Sequence, residues 1–350
     1  MTDLSSLTTL RVGGPAGRYV ETATEAGLIA AVRDADAAGT PVLVLGGGSN
    51  LLVADGGFAG VVVRDTRSEI TVQDDGFCGG VSVSATAGMP WDQLVARSVA
   101  DEWVGLEALS GIPGSVGAAP VQNIGAYGAE VSDTLASVRV WDRDERQVRT
   151  LPMIRLQFSY RDSLLKRSVA APWAPTPRYV VLEATFHMRF GTRSAPVRYR
   201  QLADALGIDV GEWAPTASVR DAVLAIRRSK GMVLDEGDRD TWSAGSFFTN
   251  PILTTSDAEK LPADAPRYPA RDGHVKTSAA WLIEHAGFPR GFSIDGSAAA
   301  LSTKHTLALT NRGGATAAEM LSLARRVRDG VRDAYGVELA NEPMLVGATL

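Results

Sequence analysis

Two glycine-dense segments constrain this chain more than any other feature. The first, LGGGSNLL (45–52), overlaps the end of the β-branched run PVLVLGG (41–47), and the second is SGIPGSVGAAPVQNIGAYG (110–128). Repeated glycines weaken helix and strand interiors, so both segments read as loops whose backbone can lie close to another surface. Gly46, Gly47 and Gly48 allow several N–H groups to point at one anion, and Ser49 and Asn50 add side-chain donors. In the second segment Gly111, Gly114 and Gly117 recur at every third position, and Gln122 and Asn123 are amides in an otherwise apolar run. From Gly105 to Gly128 the only charge is Glu107, but the glycines and prolines would break a membrane helix repeatedly. A plain glycine hairpin turn explains the first segment alone, and a tight interdomain loop the second. Two in one small domain point to a dinucleotide pyrophosphate held by backbone amides. Neither G-x-x-x-x-G-K-[ST] nor G-x-G-x-x-G follows the strand, which argues against P-loop and Rossmann binding.

Around these loops the chain alternates short strands with helices. Runs at 60–65, 81–88 and 138–143 are β-branched, and YVVLEATFHMRF (179–190) alternates apolar and polar residues along its whole length, the pattern of a strand with one wet face. A helix is expected over 24–38. A second should start at a Ser218 cap, bury Val219, Ala222, Val223 and Ile226, and stop at Gly231. Further helices are expected from Ser278 to Gly287 and after the capping box Thr316-x-x-Glu319, with a strand at 305–311 before the latter. The expected fold is α+β. Residues 1–192 form the first domain, in two sub-lobes split near 70; 193–230 connect, and 231–350 form the second.

The composition narrows the partners. Thirty-five basic and 40 acidic residues in 350 give a net charge of −5, unlike the basic surface of a general nucleic-acid binder. One cysteine, Cys78, excludes an intramolecular disulfide and any multi-cysteine metal site, and no metal is expected. The opening MTDLSSLTTLRVGG has neither a basic nor an apolar leader region, so the expectation is a cytoplasmic protein off the membrane, and a monomer.

A strand ending in L-G-G-G-S-N, followed by G-I-P-G-x-x-G-A-x-P-x-Q-N-x-G-A-Y-G, resembles the FAD-binding domain of the vanillyl-alcohol-oxidase superfamily. More narrowly, the chain resembles the longer form of the UDP-N-acetylenolpyruvoylglucosamine reductase family. FSYRDS (158–163), RRSKGMVLD (227–235), GSFFTNP (245–251), STKHTLAL (302–309) and NEPMLVG (341–347) continue the likeness in order over nearly the whole chain. The resemblance implies a peptidoglycan-precursor enzyme that uses NADPH, through FAD, to reduce UDP-N-acetylglucosamine enolpyruvate. It adds Ser110, Ile112, Pro113 and Gly117 to the cofactor residues. Many oxidases of the superfamily bond flavin to a histidine near the first glycines; here Ser49 stands there and His187, His274, His285 and His305 all come later, so FAD is expected to bind non-covalently.

The chemistry then needs an acid for one alkene carbon and donors for the charge on the attached carboxylate. The resemblance assigns these to Arg161, Ser246 and a C-terminal glutamate, Glu342, with Glu338 four residues earlier as the competitor and Pro343 departing from the residue usual beside it. Taken singly, Arg161-Asp162 could be a surface turn pair and Ser246 a helix cap. A-G-S-F-F lacks the second glycine of a hydrolase elbow. Arg227 and Lys230, spaced i, i+3, can face one anion together, or simply complement a helix dipole. Tyr127, Tyr199, Asn250 and His305 match substrate positions of the family, although His305 could equally be a histidine at the edge of the core. An FAD oxidase of the same fold and a catalytically silent nucleotide-sugar module are the competing functions; GSFFTNP speaks against the first and the full catalytic set against the second.

Overall fold

The computed structural model describes residues 2–74 and 80–350, so Cys78 lies outside the described residues. The chain is α+β and divides into two units: one built mainly from Ala16–Gly48 and Ala59–Arg228, the other from Asp3–Pro15, Ser49–Phe58 and Ser229–Leu350.

In the first unit, Ala16–Thr22, Phe58–Asp65 and Val42–Leu45 form a three-stranded sheet in that order, with the last two parallel. The Glu25–Ala37 helix begins where Thr24 accepts the Gly27 N–H, and buries Leu28, Val32 and Ala35. A second, antiparallel sheet starts at Ile70 and is centred on Tyr179–Phe190, which pairs with Leu135–Asp142 on one side and Val81–Thr86 on the other. Val180, Leu182, Ala184, Phe186 and Met188 are buried as the alternation requires, while Phe190 is exposed where the strand ends. Residues 193–228 are not a bare connection. Val197, Leu202, Ala203, Ala214, Val219, Val223 and Ile226 form a core of their own within this unit. The helix there spans Thr216–Ser229, three residues earlier than a Ser218 cap would start it.

The second unit corrects the expected domain boundary, because two N-terminal stretches fold with the C-terminal third. Leu51–Val53 pairs in parallel with Met344–Val346, and Asn311 Nδ2 donates to the carbonyls of Leu10 and Arg11 at 3.2 and 3.1 Å. Leu10, Val12 and Leu52 are buried in one core with Phe247, Phe248, Leu282, Met320 and Val327. The Thr316–Glu319 capping box is formed and starts the Ala317–Tyr335 helix, which Gly336 ends at φ +68°. The strand expected over 305–311 is only Leu309–Asn311; residues before it turn back from Ala299–Leu301. His305 therefore stands in a turn.

Candidate active site

The two glycine segments touch through their backbones. A Cβ on Gly47 would lie 2.6 Å from Gly114 Cα, and one on Gly46 would lie 2.7 Å from Ser115 Oγ. Gly117 is as confined, against Ala87 at 2.6 Å. Part of the glycine content thus serves loop–loop contact as well as any ligand. The second segment is laid against 87–92 by Val116 N–H to Met89 O and Gly117 N–H to Ala87 O. Ser49 and Asn50 in the first segment and Ile112 and Pro113 in the second are half-buried, and glycine backbone lies between them, which fits a dinucleotide held largely by main-chain groups.

Two expected cofactor ligands have other partners. Asn123 is fully buried at φ +45°; its Nδ2 donates to Glu130 Oε2 and Ser159 O, and its Oδ1 accepts the Ser132 N–H. Ser110, also fully buried, donates its hydroxyl to Glu107 O. Both side chains hold the loop's shape, which leaves main-chain atoms for the cofactor contact expected of these two residues. Gln122 is buried within the same segment.

Arg161 is set by this loop. Its Nη2 donates to Gly125 O at 2.6 Å and its Nη1 to Asn123 O at 3.3 Å, and the guanidinium lies over the Tyr160 ring. Asp162 pairs with Arg167. The surface-pair reading of Arg161 and Asp162 therefore does not hold. Lys166, which sequence reasoning missed, donates to Arg161 O at 2.9 Å and helps to keep this residue at φ +54°, where a non-glycine residue is strained.

Three substrate candidates come together in the first unit. Gly125–Ala126 and Ala129–Glu130 form a hairpin whose two-residue turn, Tyr127-Gly128, has φ of +50° and +83°, as a primed turn requires. The Tyr127 ring meets Tyr199 edge-on at 5.7 Å. Burial raises the Tyr127 pKa, opposed by the charge of Arg227; burial likewise lowers that of Arg227, opposed by Tyr127 and Asp92. Asp92 gave no sequence signal, yet its carboxylate accepts the Gly111 N–H at 2.6 Å and both terminal nitrogens of Arg220 at 2.8 and 2.7 Å. Burial alone would raise its pKa, but these bonds outweigh it and hold the carboxyl below its ordinary value.

Ser246 and Glu342 are brought together in the second unit. Gly245 has φ +71°, Phe247 and Phe248 are buried with their rings edge-on at 5.2 Å, and half-buried Ser246 stands between, capping no helix. Phe247 N–H donates to Leu307 O at 2.7 Å, and Glu342 N–H donates to Phe247 O at 2.8 Å. Glu342 is half-buried, whereas Glu338 is exposed between buried Val337 and Leu339. The departure at Pro343 costs no ladder bond, since Glu342 N–H bonds to Phe247 and Met344 N–H to Asn50 O on either side of it. Asn50 Nδ2 lies 3.5 Å from Glu342 O, so the end of the first glycine segment borders the glutamate. Asn250 Oδ1 accepts the Ala279 N–H. Burial first, then the charges of Lys230 and Arg290, push the His305 pKa down to about 4. Among the described residues no cluster could hold a metal ion, and no helix is long and apolar enough to cross a membrane.

A family model described as an FAD binding domain matches residues 16–151, and the C-terminal domain of UDP-N-acetylenolpyruvoylglucosamine reductase matches 237–346. The reductase of that name from Cutibacterium acnes is 51% identical over 99% of this chain and 90% of its own length; that from Thermobifida fusca is 51% identical over 99% and 97%. The solved structure of the Thermus caldophilus enzyme shares the fold, with a TM-score of 0.66 at 24% identity over 99% of this chain and 97% of that one.

Proposed function

The chain belongs to the UDP-N-acetylenolpyruvoylglucosamine reductase family, and from that premise we propose how its residues carry out the reduction of UDP-N-acetylglucosamine enolpyruvate to UDP-N-acetylmuramate with NADPH. The bound FAD supplies the hydride-transfer chemistry that no side chain can. Gly46, Gly47, Gly48, Ser49, Asn50, Ser110, Ile112, Pro113, Gly117, Gln122 and Asn123 would hold it without a covalent bond, Ser110 and Asn123 through main-chain atoms while their side chains keep the loop in shape.

A hydride gained at C3 of the enolpyruvyl group leaves an electron pair at C2, delocalised into the attached carboxylate, and a proton must then form the C2–H bond. Ser246 gives that proton from Oγ. Arg161 presents its planar guanidinium to the carboxylate and stabilises the charge while it exists. Glu342 is the third member of this set, held beside the Ser246 turn by its backbone bond to Phe247. Tyr127, Tyr199, Arg227 and Lys230 bind the diphosphate part of the substrate, and Asn250 and His305 its sugar and enolpyruvyl part.

The observation that best supports this reading is the backbone bond from Glu342 to Phe247, which joins two family motifs far apart in sequence. Its test is NADPH oxidation, followed by absorbance, with and without the enolpyruvyl substrate. Oxidation should require that substrate; oxidation by oxygen alone at the same rate would favour the oxidase reading, and a colourless protein unable to take up FAD would favour the silent binding module. A cytoplasmic monomer completes the proposal, checked by cell fractionation and by light scattering on a sizing column.

A further inference from the structure

Asp240 takes no part in the chemistry above, yet its carboxylate is buried to 4% exposure and accepts four hydrogen bonds. Ser302 Oγ, Thr303 N and Arg312 Nη1 donate to Oδ1 at 2.8, 2.7 and 3.0 Å, and Thr303 Oγ1 donates to Oδ2 at 2.7 Å. Ser302 Oγ in turn accepts the N–H groups of Lys304 and His305. The carboxylate therefore sets the turn on which His305 stands. On its other side the backbone of Asp240 forms a floor for a second turn: at Gly231, φ +65°, an added Cβ would meet Asp240 O at 3.0 Å and Asp240 Cβ at 3.2 Å. That turn carries Lys230. Only a glycine fits so closely, at that φ, against another residue's main chain.

We propose that Asp240 is a positioning residue for substrate binding: its side chain holds the His305 turn and its backbone the Lys230–Gly231 turn, so that one residue sets the spacing of two substrate-binding groups. The proposal rests on the reading of Lys230 and His305 as substrate-binding residues. A buried carboxylate with four donors is a stiff support, because any shift of the turn leaves a buried polar group unsatisfied. The surrounding charges agree with the arrangement. Arg312 pairs with Asp240, Lys304 with Asp238, and Lys230 and Arg290 are the cations felt by His305.

Asp240→Asn keeps the volume but removes the charge opposite Arg312 and one acceptor. With the holoenzyme, it should raise the KM for the enolpyruvyl substrate about tenfold with little change in kcat, the signature of weakened uniform binding. NMR titration of His305, assigned with His305→Gln, should show its pKa rising above about 4 as Lys230 moves away, while burial and Arg290 still hold it below the ordinary value. A merely structural aspartate would lower the melting temperature and move neither readout. Lys230→Ala and His305→Gln are the controls. If they leave KM unchanged, the substrate reading has failed; if they raise it while Asp240→Asn leaves both KM and the titration at wild-type values, the positioning role is overturned. Should Asp240→Asn fail to fold, Thr303→Val removes only the Oδ2 bond and should move KM and pKa the same way by less. Wild-type values there would overturn the proposal equally.

Discussion

Glu342 and Phe247 are joined by a 2.8 Å backbone hydrogen bond, N–H of the glutamate to carbonyl of the phenylalanine. Through it the acidic C-terminal motif is held at the turn that carries Ser246, and Phe247 is in turn bonded to Leu307, two residues from His305. One buried aromatic residue thus ties three motifs of the second unit, and the chemistry assigned to each can be tested separately.

Ser246→Ala should lose about 10²–10⁴-fold in turnover, the usual range for a general acid, or roughly 3–5 kcal/mol of transition-state stabilisation. Stopped-flow bleaching of the flavin by NADPH involves no proton transfer to C2 and should keep its wild-type rate. Ser246→Cys retains a donor and should recover part of the activity. Near-normal turnover of the alanine variant would remove Ser246 from the mechanism.

Arg161→Lys keeps a charge but loses the planar fork that donates to Asn123 O and Gly125 O and that is proposed to meet the substrate carboxylate. Its kcat should fall with KM little altered, because the charge it stabilises exists only during reaction. Lys230→Ala should do the reverse. Exchanged phenotypes in steady-state kinetics would mean that the two cations have each other's roles.

Gly47→Ala places a methyl group 2.6 Å from Gly114 Cα, closer than carbon atoms tolerate. Overpacking of this kind costs about 1–3 kcal/mol, and the loops must separate to relieve it. The purified variant should carry less FAD per chain than wild type and melt lower. Gly39→Ala is the control: Gly39 has φ +65°, so alanine is strained there, but nothing stands within 4 Å of its added Cβ, so it should keep its flavin even if it melts lower.

His305 also gives the protein a defined acid sensitivity. Its folded pKa of about 4 lies below the ordinary 6.5, so between these values the unfolded chain binds more protons than the folded one. The stability this contributes is complete above pH 6.5 and is lost as pH falls toward 4. Melting temperatures measured across that window should fall less steeply for His305→Gln than for wild type. Parallel curves would place the titrating group elsewhere.

FAD should leave the denatured protein intact, since Ser49 occupies the place where a flavin-bonding histidine would stand. Precipitating the protein with acid should leave all the yellow colour in the supernatant. Colour retained on a peptide would contradict this.

Much was legible in the sequence because it depends on near neighbours. The Tyr179–Phe190 strand follows from alternation, the Ala317–Tyr335 helix from its capping box and Gly336, and the two glycine loops from residues that tolerate no regular element. Other features were not. That Leu51–Val53 pairs with Met344–Val346, that Leu10 and Val12 are buried with the C-terminal third, and that Asp92 and Asp240 each organise a loop distant in sequence depend on partners tens to hundreds of positions away. Local periodicity reports which face of an element is apolar but not which surface covers it, and an isolated aspartate looks the same in sequence whether it meets water or four donors. The local elements and the chemistry of the motifs were written in the chain itself; which of them stand side by side was decided only when burial and long-range hydrogen bonding selected one pairing among many.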